Sequence, residues 1–358
     1  MQIAKYLEKL GAEVILVPVY PQSTVELQQL ETKQVIPVST NKYHYLLNGI
    51  AVAQVVEKLL EQREVDAVIG WDYETAFLPR LLKSKQVVFG MIAASPSYKE
   101  WIERQTSLRF IKRLADSWFR WRVLKQADLV FVSSTFTQNE LTHLFQIDTN
   151  STQIIRRGID LLFGKVERSF RGEISNLIFY GSLARIKGAF DVIDALGQIY
   201  GRKNTNWKLK IAGWGNEKAV REAVLKQGIE DRVIFLGCLT PQELAKELEG
   251  ADLAILPSRA ESFGRAIAEA QAAGLPVVSY NIGSIPEIIE HNVTGWLVPF
   301  KRVDLLADNI IEAMQNPEKT FHMGIKGREM ATQKFTWEKT ARSILESIEI
   351  AKQRISKN

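Results

Sequence analysis

Short apolar runs of strand length alternate with longer amphipathic stretches along this chain, in two successive series. The first series holds candidate strands at Glu13 to Val19, Val65 to Gly70, Val87 to Ile92, Asp128 to Ser133 and Gln153 to Arg156. After an irregular, charged stretch from Arg157 to Glu173, a second series runs through Leu177 to Tyr180, Leu209 to Ala212, Val233 to Leu236, Leu253 to Leu256, Val277 to Tyr280 and Gly295 to Val298. Strands separated by helical patterns predict parallel sheet covered by helices on both faces. Two doubly wound α/β halves joined by one linker is the economical architecture, and 358 residues suffice for two cores at about 150 residues per domain. The expected division is 1–165, 166–334, and a final segment 335–358 whose long helical pattern, Thr336 to Lys357, has no strand after it and must cover something already built.

The first half starts irregularly. A doubly wound half places its first strand in the centre of the sheet, followed by a tight Gly-rich turn. Here Met1 to Leu10 already reads as a helix with Gly11 as its stop, so Glu13 to Val19 corresponds to a second strand and the central one is missing. The expectation is that Glu13 to Val19 pairs directly with Val65 to Gly70, or that the natural product begins upstream of Met1.

Composition narrows the function. With 46 basic and 41 acidic residues the net charge is +5, which suits an anionic ligand or lipid surface and gives no reason to expect nucleic acid. One cysteine, Cys238, and four scattered histidines build no zinc cluster and no disulfide, which predicts a reducing, cytoplasmic setting. No run approaches the ~18 apolar residues of a bilayer span. Between Arg104 and Lys125, however, seven basic residues face a single acid, Asp116, and alternate with Phe110, Ile111, Trp118, Phe119 and Trp121. That pattern fits either a peripheral contact with an anionic membrane surface or a core helix with a solvated basic face.

Chemistry concentrates in the second half. The stretch from Ser258 to Gly274 carries a strand through a loop into a helix, so the amides of Phe263, Gly264 and Arg265 sit at a helix N-terminus, where an anion can be held. Glu261 in the loop and Glu269 in the second turn can both face one ligand; alternatively Glu261 caps the helix and Glu269 is solvated. A second loop, Gly181-Ser182-Leu183-Ala184-Arg185-Ile186-Lys187-Gly188, again follows a strand and brings two cations to a helix start, as a diphosphate requires, or is a plain basic loop. Gly213-Trp214-Gly215 lacks the third glycine of a dinucleotide fingerprint, which argues against hydride transfer. No two aspartates are separated by a single residue, so no Asp-x-Asp pair bridges a metal to a diphosphate and cations must neutralise the phosphates.

In order, Gly181 to Gly188, Gly213 to Gly215, Phe235-Leu-Gly237, Glu261-Ser262-Phe263-Gly264 with Glu269, Ala272 to Val278, Pro286-Glu287 and Gly295 to Val298 resemble a retaining glycosyltransferase of family 4. The likeness spans Leu177 to Lys357 and is weaker in the first half, at Ala127 to Ser134 and Ile155 to Asp160. It implies a GT-B fold of two facing Rossmann-like domains, acceptor on the first and nucleotide sugar on the second, with the last helix crossing back to the first. It further implies that Lys187 contacts the diphosphate and Glu269 the ribose hydroxyls, while Glu261 and the backbone of Ser262, Phe263, Gly264 and Arg265 meet the sugar and phosphate. Gly181, Ser182, Arg185 and Gly213 complete the donor side.

The implied activity is hexosyl transfer from a UDP- or GDP-linked sugar to a polysaccharide or lipid-linked acceptor, without metal or other cofactor and with anomeric configuration retained. Two departures accompany it. Ser182 stands where the family often has Arg, with Arg185 as a candidate substitute, and Ile92-Ala-Ala-Ser-Pro96 stands where a His is common. On the acceptor side Trp71, Asp72 and Ser95 lie at strand ends facing the expected cleft, or are plain loop. A non-catalytic scaffold and a GT-B nucleotide-sugar epimerase are the alternatives.

Overall fold

The computed structural model describes residues 2–18, 34–36, 45–71, 75–93, 121–200 and 206–357. The chain divides into two compact units, the first formed by Met1–Gly158 with Trp337–Asn358 and the second by Ile159–Thr336. The second unit thus starts before the 166 expected from sequence. Ile159, Phe163 and Val166 explain why: all three are buried in the second unit's core, so the irregular stretch is part of that domain and not a free linker.

The second unit is built on one six-stranded parallel sheet. Its strands are β7 (Asn176–Ser182), β8 (Lys208–Trp214), β9 (Val233–Gly237), β10 (Leu253–Ile255), β11 (Val277–Tyr280) and β12 (Gly295–Val298), in the order β12-β11-β10-β7-β8-β9. The chain winds outward from β7 to β9, returns to the other side of β7 at β10 and winds outward again, which is the doubly wound pattern. β10 and β11 are buried along their whole length, as strands covered on both faces must be. The connecting helices carry their own start and stop signals. Pro241–Gly250 begins with a reciprocal capping box between Thr240 and Glu243, and Glu217–Gln227 ends at Gly228 in the left-handed conformation. Trp207, Trp296 and Tyr280 lie fully inside this core.

In the first unit the ladder is split. β1 (Ile15–Leu16) pairs in parallel with β2 (Gln34–Val35), and β3 (Ala67–Trp71), β4 (Val88–Ala93), β5 (Leu129–Val132) and β6 (Thr152–Ile154) form a second sheet in that order. Direct pairing of the strand after Gly11 with the Val65 strand is therefore corrected: among the described residues β1 bonds only β2, at Ile15↔Gln34 and Leu16↔Val35, and β3 bonds only β4. The β2 strand has no clear sequence signal, because it is two residues long and the apolar pair Val35-Ile36 is flanked by Gln34 and Pro37. The final helix, Trp337–Ile355, packs on the first helix, Gln2–Lys9, and on β4 and β5. Ala341, Ile344 and Ala351 join Leu7, Val88, Leu129, Phe131 and Ile155 in one buried cluster. Gly158, with no side chain, lies against the Trp337 backbone and ring, where a Cβ would come within 2.4 Å.

Asp72, Ser95 and the basic aromatic segment through Arg120 lie outside the described residues. The described end of that segment packs inward at Val123 and Leu124, while the Trp121 indole donates to the Phe145 carbonyl at 3.0 Å and Lys125 to the Gln146 carbonyl at 2.5 Å. No helix among the described residues is long and apolar enough to cross a membrane.

Candidate functional site

Ligands of open parallel sheets bind beyond the carboxyl ends of the strands where the winding reverses. In the second unit that point is the β7/β10 boundary. β7 runs out at Ser182 and β10 at Ile255, so the loops 183–188 and 256–264 leave the sheet side by side.

The first loop closes as a single 3-10 turn, Arg185–Lys187, and Gly188 in the left-handed conformation (φ 82°) converts it into the helix Ala189–Ile199. Gly188 is required twice over, since a Cβ there would also meet the Pro257 carbonyl oxygen at 2.1 Å. Ser182 holds the turn from within, its hydroxyl accepting from the Ala184 amide at 3.3 Å. Gly213, at the neighbouring end of β8, lets the two strands close up: a Cβ would come to 1.7 Å from the Gly181 carbonyl oxygen. Beyond it the Trp214 carbonyl accepts from the Leu183 amide at 2.8 Å. Arg185 stacks over the Phe190 ring at 4.4 Å.

The second loop delivers Glu261. Its carboxylate accepts from Lys187 Nζ at 2.6 Å, joining the two sequence-predicted groups across 74 residues. Glu261 is mostly buried, with 15% of its side chain exposed against 36% for Lys187. Its backbone is fixed independently. The Glu261 carbonyl accepts from both the amide and the hydroxyl of Ser284 at 3.2 Å, and Gly283 leaves no room for a Cβ beside it.

Gly264 (φ 91°) starts the helix Arg265–Ala272 without any side-chain cap, so Glu261 is not the cap that sequence left open. The first-turn amides of that helix have no intrahelical acceptors. Phe263 anchors the loop by packing edge-on to Phe335 at 5.5 Å. A hydrogen bond from the Tyr180 hydroxyl to the Ala266 carbonyl ties the helix to β7.

Glu269 is not solvated either: 5% exposed, it accepts from Arg265 Nε at 2.8 Å. Burial pushes the Glu269 carboxyl above the ordinary range, and the Arg265 charge opposes that rise. Arg265 is held more firmly protonated by the same carboxylate. The Tyr180 phenol, buried close to Glu269, is pushed well up by burial first and by that charge second. The i,i+4 spacing of Arg265 and Glu269 is the sequence signal for this side-chain pair, beyond the Arg265 backbone amide expected at the helix start.

On the first unit, Trp71 ends β3 with 48% of its surface exposed. Among the described residues no group of three or more His, Cys, Asp or Glu side chains converges as a metal site would.

A doubly wound unit with cations and helix-start amides at its reversal, following a second parallel α/β unit, defines the GT-B class of chain. The comparisons agree. The model described as Glycosyltransferase Family 4 matches residues 1–162, and that described as Glycosyl transferases group 1 matches residues 167–330. Sucrose-phosphate synthase from Thermosynechococcus elongatus superposes with a TM-score of 0.77 at 19% identity, over 100% of this chain and 92% of that one. Anabaena HepE, solved in complex with UDP and glucose, superposes with a TM-score of 0.76 at 20% identity, over 98% and 95%.

In sequence, the N-acetyl-alpha-D-glucosaminyl L-malate synthase of Bacillus anthracis is 34% identical over 164 residues, 46% of this chain and 42% of that protein. The chain spans about half the length of the curated relatives it matches. It belongs to the family 4, group 1 glycosyltransferases and has the GT-B fold.

Proposed function

We propose that the chain transfers a sugar from a nucleotide-diphosphate donor to a polysaccharide or lipid-linked acceptor, with retention of anomeric configuration and without a metal ion. The observation that carries this reading is the meeting of Lys187 and Glu261 at the β7/β10 reversal, beside an uncapped helix start. Lys187 and the first-turn amides neutralise the diphosphate, a task for which charge-assisted bonds contribute about 1.5–3 kcal/mol each. On that reading the diphosphate takes Lys187 over from Glu261, and the released carboxylate accepts from sugar hydroxyls. Glu269, already buried, accepts from the ribose hydroxyls once Arg265 swings outward.

Transfer breaks the bond between the anomeric carbon and the diphosphate oxygen. The acceptor oxygen bonds to the same face of that carbon, and its proton passes to the departing phosphate oxygen. The side chains supply positioning and charge; none needs to act as nucleophile. UDP-bound relatives such as HepE favour a uridine donor, and the GDP-mannose-dependent mannosyltransferase of Mycobacterium tuberculosis, 27% identical over 62% of this chain, keeps guanosine in the test.

The test offers UDP- and GDP-sugars with glycan acceptors, with and without EDTA, and follows the product anomer by NMR. Retained configuration and unchanged turnover in EDTA are expected. Recovery of a lost activity by Mg²⁺ would overturn metal independence, and no binding of any nucleotide sugar would overturn the whole reading.

A further inference from the structure

Lys187 sits on a single 3-10 turn, a short element that cannot by itself fix a long, flexible side chain. The structure supplies a clamp from outside that turn. Arg259, two residues before Glu261, gives its backbone amide to the Ile186 carbonyl at 2.8 Å. Its guanidinium then grips Asp191 with two prongs: Nε donates to Oδ2 at 2.8 Å, and the second prong reaches the other carboxylate oxygen.

Asp191 is 2% exposed and lies in the first turn of the helix Ala189–Ile199, the one that Gly188 joins to Lys187. Behind it stands Tyr280 of β11, buried, with Phe300 packed edge-on to its ring at 5.7 Å. Burial first, and the Asp191 charge second, push the Tyr280 phenol upward, so it stays neutral beside the carboxylate. Arg259 therefore bonds the residue before Lys187 and the helix after it, while its own loop carries Glu261.

The geometry points to Arg259 and Asp191 as positioning residues that set where Lys187 stands for the diphosphate, without touching the phosphates themselves. This inference rests on the donor-binding reading above. A planar fork fixes rotation as well as distance, which a single ion pair would not. Nε and Nη2 are both given to Asp191, which ties the guanidinium to the helix after Lys187, so that its effect on a ligand runs through the loops. Nothing in the sequence marks the pair, because its members are 68 residues apart.

The test is a double-mutant cycle on UDP binding by calorimetry, using Lys187→Ala, Arg259→Met and the combination in the full chain. Arg259→Met alone is expected to weaken UDP about 10-fold through a displaced Lys187. In the Lys187→Ala background the same change should cost less than about 2-fold, and uridine, which carries no phosphate, should bind all variants alike. Arg259→Lys, which keeps the charge and loses the fork, should fall between parent and Arg259→Met and serves as the probe if Arg259→Met does not fold.

Full additivity of the two losses would mean that Arg259 binds phosphate directly and would overturn the inference, as would an unchanged affinity in Arg259→Met. Loss of uridine binding along with UDP would reduce the pair to general stability. If Lys187→Ala itself binds UDP as tightly as the parent, the donor reading fails first and this one falls with it; if only the Arg259 variants are silent, the donor reading stands.

Discussion

The two units share a grammar of parallel strands and covering helices but differ in how they complete it. The second closes its sheet as one six-stranded ladder, and its candidate site lies at the reversal point of that ladder. The first divides its described strands into a pair and a set of four, and takes part of its core from a helix that follows the other unit in sequence. The lesson is that the candidate site residues gather where the backbone is fully committed. Lys187, Glu261, Arg265 and Glu269 each have a charged partner and loops pinned by backbone bonds, whereas Trp71 stands half exposed at the end of β3.

The most severe way to break this comparison is Ile344→Asp, which buries an unpaired charge in the cluster shared by the last helix and the first unit. A loss of about 4 kcal/mol or more is expected. Hydrogen exchange should show the first unit opening while the second stays protected and UDP affinity changes by less than about 3-fold. Loss of UDP binding together with the first unit would refute the assignment of the donor to the second.

Next in size is Lys187→Ala, expected to weaken UDP by roughly 1.5–3 kcal/mol, a factor of ten or more, in calorimetry. Its melting temperature should fall by only a few degrees, because Lys187 is partly exposed while the mostly buried Glu261 loses its cation. A large drop in melting temperature with intact affinity would make the pair structural.

Glu269→Gln sharpens the comparison through pH. Burial raises the folded-state pKa of Glu269 above its ordinary 4.5, so the folded parent holds its proton more tightly than the unfolded chain does. The parent therefore loses stability relative to the Gln variant as pH rises from below 4.5 through the folded pKa, and the gap stays constant above it. Melting curves between pH 4 and 8 should show the variant gaining on the parent with rising pH, even as its preference for ribose over deoxyribose nucleotides shrinks. The opposite pH trend would place the Arg265 charge ahead of burial.

The smallest effect belongs to Trp71→Ala. Stability within about 0.5 kcal/mol of the parent and unchanged UDP affinity are expected, with any loss confined to turnover with acceptor. A weakened donor affinity would remove Trp71 from the acceptor side.

Much of this was legible beforehand because it is local. Parallel strands buried on both faces, such as Leu129–Val132 and Leu253–Ile255, declare themselves as unbroken apolar runs, and Gly188 and Gly264 punctuate the loops after β7 and β10. What escaped depends on distant pairing. Asp191 interrupts an otherwise apolar start to its helix, a visible anomaly, but nothing in the chain names Arg259 as its partner. The Lys187–Glu261 meeting was expected only as two groups sharing a ligand, not as an ion pair with each other. The burial of Glu269 follows from how Arg265–Ala272 rotates against its neighbours, which periodicity alone does not set.

The position of the last helix also bears on synthesis. A ribosome completes the whole second unit before it makes Trp337–Ile355, the nineteen residues that the first unit needs for its core. At about 5–20 residues per second, Leu7, Val88 and Phe131 wait a further one to four seconds for Ala341 and Ile344, with apolar surface open to chaperones in the meantime. The half made first is thus the half finished last, and a nascent chain halted after Thr336 would carry a closed second unit attached to an incomplete first one.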